Sequence, residues 1–406
     1  MEAQLISTLP FDSGQTIRKK VSIVNVQLSP FRIPFLNQLR AELMERGIYL
    51  TYFHGDIWPA ERNRNYDCEL GWAIRIHNRF FPIGGGRYLC WQKLPYKQLE
   101  QADLVIITQE NSILSNYPFI VARGLSGKRL AFWGHGVSPR THSLLGLGER
   151  WRHIWANRAD WWFGYSQKSV NALKFAGFPE ERITNTGNAI DNSAFQRNVV
   201  DVTESMLEAI RKQCKLEKNT VVGLYCGALY SDKRLDLLIS AGDLIFRQNP
   251  HFRLVIIGSG SEAGFIDEAL RTRPWAAAVG PKSGVEKAAY FMLAHLILNP
   301  GLLGLIVLDA LCMGLPIVTT GGSTYHSPEV AMLEEGLTGF FPQPTPDAYA
   351  QSVLDLLADK ERYDKAREAT VKAGKQYTME NMVQKYADGI EACLGYPLRK
   401  FIGRSI

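Results

Sequence analysis

The sequence predicts an α/β protein made of two doubly wound units, each a parallel sheet covered by helices on both faces. Three observations carry this. Apolar strand-like runs alternate with amphipathic helical stretches, the pattern of a buried parallel sheet. The alternation starts twice, near residues 20 and 220, with a charged, strand-poor stretch between. At 406 residues the chain exceeds what one ordinary core holds, so two domains are expected.

The first unit opens with "KKVSIVNVQLSP", an apolar strand running into a turn, followed by "FRIPFLNQLRAELMERG", an amphipathic helix ending at Gly47. "IYLTYFHG" is the next strand. "ADLVIITQ" (102–109) and "KRLAFWGHG" (128–136) read as further buried strands that leave through polar or glycine residues, and "WWFGYS" and "ERITNTGNAID" complete the unit. Residues 191–218 are helix-like and charged and form the expected linker. The second unit restarts with "TVVGLYCGALYSDKRLDLLISAGDLIFRQNP", a strand, a glycine turn and a helix. "FRLVIIGSGSE" repeats strand and glycine turn; "AAAVGPKSG", "AHLILNPG" and "LPIVTTGG" are short strands. "MENMVQKYADGIEACLG" is a closing amphipathic helix with a basic tail. Ligands of such sheets sit beyond the carboxyl ends of the strands, and with two units the gap between them is the default site.

Composition narrows the function. A hydrophobic content of 46% is that of a globular protein, and a net charge of +6 suits anionic ligands or an anionic membrane face. No basic stripe interleaved with stacking aromatics is present, so no nucleic-acid partner is expected. Cys68, Cys90, Cys214, Cys226, Cys312 and Cys393 are scattered without metal-ligand spacing and read as reduced thiols of a cytoplasmic protein. The N-terminus lacks the charge and apolar pattern of a signal peptide. Residues 288–308 are uncharged over a membrane-spanning length, but Asn299-Pro300-Gly301 and Gly304 punctuate them as a turn between strand and helix.

Several residues stand where chemistry is expected. Gly227, in "YCGALYSDKR", lies between strand and helix: either a diphosphate seat, with helix amides and Lys233 facing an anion, or an ordinary turn. Gly258 and Gly260 in "GSGSE" form a similar element, for which the structural-turn reading is preferred. "GGG" at 84–86 reads as a mobile loop. His135 ends a strand between Gly134 and Gly136, which lifts it toward a ligand with the backbone free to approach. His54 also lies on a strand-like segment; His295, on an apolar strand, reads as a satisfied core histidine. Asp309 is the only charge between Lys287 and Glu329. A buried, unpartnered carboxylate costs several kcal/mol, so it either reaches solvent or binds something, such as the vicinal hydroxyls of a ribose; the alternative is pairing with a basic residue, although none lies nearby in sequence.

Taken in order, these residues resemble the nucleotide-binding domain of GT-B glycosyltransferases, closest to the retaining family-4 group of bacterial polysaccharide clusters. The likeness covers 219–340: Gly227-Ala228-Leu229 and Lys233-Arg234, then Gly258-Ser259-Gly260. Gly301-Leu302-Leu303-Gly304-Leu305 follows, up to Asp309 and "ALCMGLPIVTT". The resemblance implies two Rossmann-like domains facing a central cleft. The N-terminal, acceptor-side domain would span 1–195 and the nucleotide-sugar domain 196–380, with the helix at about 380–406 packing back on the first. It implies that Asp309 holds the ribose, that Lys233 meets the diphosphate, that His135 contacts the transferred sugar, and that Gly301 and Gly304 line the loop beneath it. Lys233 and His135 are the implied catalytic residues. Gly227, Lys233, Arg234, Gly258, Gly260, Gly301, Leu302, Leu303, Gly304 and Asp309 are the implied donor site. Ser29 and Arg32, in the turn "LSPFRIP", are placed on the acceptor side.

Three positions depart from the family pattern. The first acidic residue is Gly301, the turn arginine is Ala228, and the N-terminal glycine-rich turn is "LSPFRIP". Arg32 or Arg234 would replace the lost arginine, "HSPE" (326–329) the lost polar contacts, and the amides of 301–304 would hold phosphate or sugar.

The reaction so implied is transfer of a sugar from a nucleoside-diphosphate sugar to a hydroxyl of a glycan or lipid-linked acceptor, with retention, in polysaccharide biosynthesis. Preorganised positive charge would stabilise the leaving diphosphate. No DxD occurs, so neither a metal nor another cofactor is expected. Arginines beside Trp151, Trp155, Trp161 and Trp162 (148–166) suit peripheral contact with an anionic membrane on its inner face; the alternative places Trp161 and Trp162 in the following buried strand. Two further readings stay open: a non-catalytic GT-B protein that binds a nucleotide sugar or glycan, and a GT-B nucleotide-sugar epimerase.

Overall fold

A computed structural model describes residues 17–59, 68–136, 154–321 and 326–398. In chain order the first elements are β1 (Lys19–Asn25), α1 (Ile33–Glu45), β2 (Ile48–His54) and β3 (Ile74–Arg75). A separate hairpin follows, β4 (Asn78–Pro82) and β5 (Tyr88–Gln92), and residues 84–86 form its turn. Then come α2 (Tyr96–Glu100), β6 (Leu104–Thr108), α3 (Asn116–Leu125), β7 (Arg129–Gly134), β8 (Trp161–Gly164), α4 (Gln167–Phe175) and β9 (Ile183–Asn185). Seven of these strands form one sheet in the order β3-β2-β1-β6-β7-β8-β9. β1 pairs in parallel with both β2 and β6, so the strand order reverses beside it.

The expected linker holds two helices, α5 (Asn192–Val200) and α6 (Glu204–Gln213). Each starts at a side chain that accepts a backbone N–H, Asp191 from Ala194 and Thr203 from Met206, which satisfies an otherwise orphaned amide. Beyond them run β10 (Val221–Cys226), α7 (Leu235–Gln248), β11 (Phe252–Ile257), α8 (Ala263–Leu270), β12 (Ala276–Ala278), α9 (Gly284–Leu293) and β13 (Leu296–Leu298). The chain continues with α10 (Ile306–Met313), β14 (Ile317–Val318), β15 (Gly339–Phe340), α11 (Pro346–Ala358), α12 (Lys360–Gly374) and α13 (Met379–Gly395). The six strands of this second sheet are all parallel, in the order β12-β11-β10-β13-β14-β15.

Alternation along the strands divides the core of the second sheet. Leu224, Val255, Ile257 and Ile297 face one layer with Phe291, Val307 and Leu311. Tyr225, Leu254, Ile256 and Leu298 face the other with Leu238, Ala241 and Val353. With both faces buried, the strands read as continuous apolar runs. The uncharged 288–308 stretch is shared among α9, β13 and α10, and among the described residues no helix is long and apolar enough to cross a membrane.

The chain divides into two compact units. One comprises the described parts of Met1–Trp133, Arg158–Trp161 and Ala387–Ile406; the other comprises those of Gly134–Asn157 and Trp162–Tyr386. In the first, Arg46 pairs with Asp388 at 2.8 Å and Glu391 at 2.6 Å, and Arg129 donates to the Cys393 and Tyr396 carbonyls. These bonds hold the C-terminal turns of α13. Trp161 and Trp162 belong to β8 and are buried, and Trp162 Nε1 donates to the Ala156 carbonyl at 2.9 Å. These two side chains are therefore core, as the strand alternative had it. Trp151 lies outside the described residues.

Candidate functional site

In the second sheet the strand order reverses between β10 and β13, and the carboxyl ends of those strands are where such a fold binds ligands. Three turns meet there. The Gly227–Leu229 turn leaves β10, the Gly258–Gly260 turn leaves β11, and Asn299–Gly304 leaves β13. The first two are laced together: Gly227 N–H donates to the Ile257 carbonyl at 3.0 Å, Leu229 N–H to Ser259 at 2.9 Å, and Glu262 N–H to Leu229 at 2.9 Å. A Cβ on Gly258 would lie 1.9 Å from the Gly227 carbonyl oxygen, and one on Gly260 2.3 Å from that of Leu229. These glycines are required by backbone packing against backbone, as the turn reading of "GSGSE" had it.

Lys233 closes the short 3-10 turn Ser231–Lys233, and its Nζ donates to the Leu302 carbonyl at 2.5 Å. Leu302 N–H donates back to the Asp232 carbonyl at 2.9 Å. A Cβ at Gly301 would come within 2.2 Å of the Lys233 carbonyl carbon and 2.4 Å of the Asp232 oxygen. This explains the first departure from the family pattern: the lysine turn occupies the space an acidic side chain would need.

The expectation that the amides of 301–304 hold a ligand is corrected for three of them. Gly301 N–H donates to Asn299 Oδ1 at 3.2 Å, Leu302 N–H to Asp232, and Leu303 N–H to His326 Nδ1 at 3.1 Å. Gly301 and Leu303 are also buried. Their role is to shape the loop. Leu302 and Gly304 remain half-exposed. His326 is the clamp: it accepts from Leu303 through Nδ1, so its Nε2 carries the proton and donates to the Thr320 carbonyl at 2.8 Å. Burial lowers its pKa, which keeps the ring neutral.

Asp309, on α10, is 6% exposed and is not isolated. Lys287, on α9, reaches it from 22 residues away with Nζ 2.6 Å from Oδ2. The same ammonium stands 5.2 and 5.4 Å from the ring centroids of Phe195 and Phe291. Burial pushes the Asp309 carboxyl above its ordinary range while Lys287 pulls it back. The premise that Asp309 needs a ligand to compensate its charge is thus overturned. Its other oxygen, Oδ1, accepts no hydrogen bond among the described residues. Cys226, the last residue of β10, feels both charges, and burial drives its thiol up to about 12.

The remaining expected residues are less concentrated. Arg234 caps α7 in the left-handed region (φ 52°) and pairs with Asp236 at 3.2 Å. His135 is exposed, with its ring 4.7 Å from that of Tyr165. Gly136 has φ 75°, and a Cβ there would meet Leu173 at 2.9 Å, so packing rather than ligand approach requires this glycine. Ser29 and Arg32 belong to the first unit. The Ser29 carbonyl accepts from Arg32 N–H at 2.9 Å, and the guanidinium carbon lies 5.1 Å from the ring centroids of Phe31 and Trp133. His295 is satisfied, as expected: its Nδ1 accepts from Val222 N–H at 3.1 Å.

Two contributors went unrecognised in the sequence. In the sequence Lys287 marks only the edge of the uncharged stretch before Asp309, and nothing sets Asn188 apart within "ERITNTGNAID". Asn188 Nδ2 donates to buried Glu329 of "HSPE". Among the described residues no group of three His, Cys, Asp or Glu could hold a metal ion.

Two sheets of this topology define the GT-B fold class. Comparison with known proteins agrees. Residues 220–359 match the family described as Glycosyl transferases group 1. A lipopolysaccharide 1,2-N-acetylglucosaminetransferase of Salmonella typhimurium is 24% identical over 195 residues, covering 44% of this chain and 50% of that protein. The chain thus aligns with about half the length of this curated relative. Among solved structures, Anabaena HepE in complex with UDP superposes with a TM-score of 0.66 at 16% identity, over 92% of this chain and 100% of that one. Neisseria meningitidis UDP-GlcNAc 2-epimerase bound to UDP-GlcNAc gives 0.60 at 14%, over 92% and 100%.

Proposed function

We propose that this protein is a glycosyltransferase that moves a sugar from a nucleoside-diphosphate sugar to a hydroxyl of a glycan or lipid-linked acceptor in polysaccharide biosynthesis, with retention of configuration. One observation carries the reading. Lys233 is tied by its Nζ to the loop leaving β13, at the point where strand order reverses, within the segment that matches the group 1 family. A fixed ammonium there meets a diphosphate and stabilises the charge that grows on it as the glycosidic bond breaks. Asp309 offers Oδ1 to a ribose hydroxyl, while Lys287 holds Oδ2 and keeps the carboxylate oriented. His135 is assigned to the transferred sugar, and Ser29 and Arg32 to the acceptor. No metal takes part in this scheme, since positive side chains supply the charge. Uridine diphosphate is the first nucleotide to test, because HepE is seen with UDP.

An epimerase is the second reading, favoured by the likeness to the Neisseria enzyme. Incubation with UDP-sugars and a glycan acceptor, followed by product analysis, separates the two. A glycosylated acceptor with release of UDP supports transfer. An altered UDP-sugar formed without acceptor supports epimerisation, and binding of UDP-sugars without turnover supports a non-catalytic binder.

A further inference from the structure

The β4–β5 hairpin has two unlike faces. Inward, Phe80 lies opposite Cys90, which is buried with Val26 and Ile113, and Phe80 packs 5.1 Å from the Trp58 ring. That face fixes the hairpin to the first unit. Outward, Arg79 lies opposite Trp91 and Phe81 opposite Leu89; Arg79, Phe81 and Trp91 are exposed and Leu89 is half-buried. Phe81 is 46% exposed, Ile83 at the tip 48%, Trp91 44%, and Tyr96 just beyond 42%.

Charge accompanies this apolar surface. Residues 70–99 hold five Lys or Arg and no Asp or Glu. Arg75 is neutralised by Asp56 at 2.9 Å. Arg79, Arg87, Lys93 and Lys97 are exposed and make no ion pair among the described residues. A tip of Phe81, Pro82 and Ile83, with a tryptophan beside arginine behind it, combines insertion into acyl chains with attraction to anionic headgroups. A second copy of this chain is a poor occupant, because a two-fold contact would set this one-signed patch against itself.

We propose that the outward face of the β4–β5 hairpin docks this protein on an anionic phospholipid bilayer, with Phe81 and Ile83 entering the interface and Arg79, Arg87, Lys93 and Lys97 contacting phosphate. The proposal moves membrane contact away from the tryptophans of 148–166, two of which are core. It does not depend on the transferase reading: sugar transfer to a soluble acceptor tests that reading separately.

The test is flotation of the full chain with phosphatidylglycerol-rich vesicles, against pure phosphatidylcholine vesicles and against a soluble acidic polysaccharide. Salt-sensitive binding to the anionic vesicles is expected. Arg79→Gln with Arg87→Gln should weaken it about fivefold per charge. Phe81→Ser with Ile83→Ser should abolish it, and Lys360→Gln with Lys365→Gln, on the exposed surface of α12, should leave it unchanged. Brominated lipid should quench tryptophan fluorescence in the wild type, with that quenching lost in Trp91→Phe. All these sites are exposed, so melting temperatures should hold and exclude misfolding. Failure to bind anionic vesicles, binding unaffected by the hairpin variants, capture by the soluble polysaccharide alone, or a dimer that these variants dissociate would each overturn the proposal.

Discussion

Gly301 shows how one residue's identity follows from its neighbour's backbone. A side chain there collides with the carbonyl group and Cα of Lys233, atoms that cannot swing away. Gly301→Ala should lose about 1–3 kcal/mol, the cost of overpacking a filled site, measured by urea unfolding. Restoring the acid with Gly301→Glu should be worse and should not raise activity. Asp309 and Lys287 make the complementary case. Asp309→Asn leaves a largely buried ammonium without its counter-charge and should cost on the order of 3 kcal/mol. The double variant Lys287→Met with Asp309→Leu should recover most of that stability without recovering nucleotide binding, because Oδ1 is gone. Equal losses in single and double variants would show that the uncompensated ammonium is not the cause of the loss.

At the scale of elements, the loop from β13 to α10 is held by His326 together with Asn299, Asp232 and Lys233. Unfolded histidine titrates near 6.5, and burial places the folded values of His326, His295 and His54 below that. As pH falls through about 6.5, the unfolded chain takes up protons that the folded chain refuses, so stability drops; at higher pH this contribution is constant. The melting temperature should therefore fall between about pH 7.5 and pH 5.5, and His326→Gln should flatten that slope. An unchanged slope would remove His326 from the account.

Most second-unit strands were legible as apolar runs, because burial on both faces removes alternation and leaves a plain signal. The glycine turns were equally visible, and "GSGSE" already read as structural, but the atoms each glycine packs against were not. Gly258 and Gly136 serve packing, and no pattern in one segment reveals which backbone lies against it. Lys287 was hidden for the same reason, since its partner comes from another helix. The β4–β5 hairpin was missed because its glycine turn followed no strand with clear alternation.

For the whole molecule, the central claim is that the second unit binds a nucleoside diphosphate at the reversal between β10 and β13, with Lys233 as its charged contact. Titration calorimetry with UDP tests this most directly, on the wild type and on Lys233→Ala, with melting curves to confirm that both are folded. The account predicts saturable one-site binding in the wild type, a thermal stabilisation of about 2.7 kcal/mol at a hundredfold excess over Kd, and loss of both in the variant. Wild-type protein that fails to bind any nucleoside diphosphate, or a Lys233→Ala variant that binds UDP as tightly as the wild type, would contradict it.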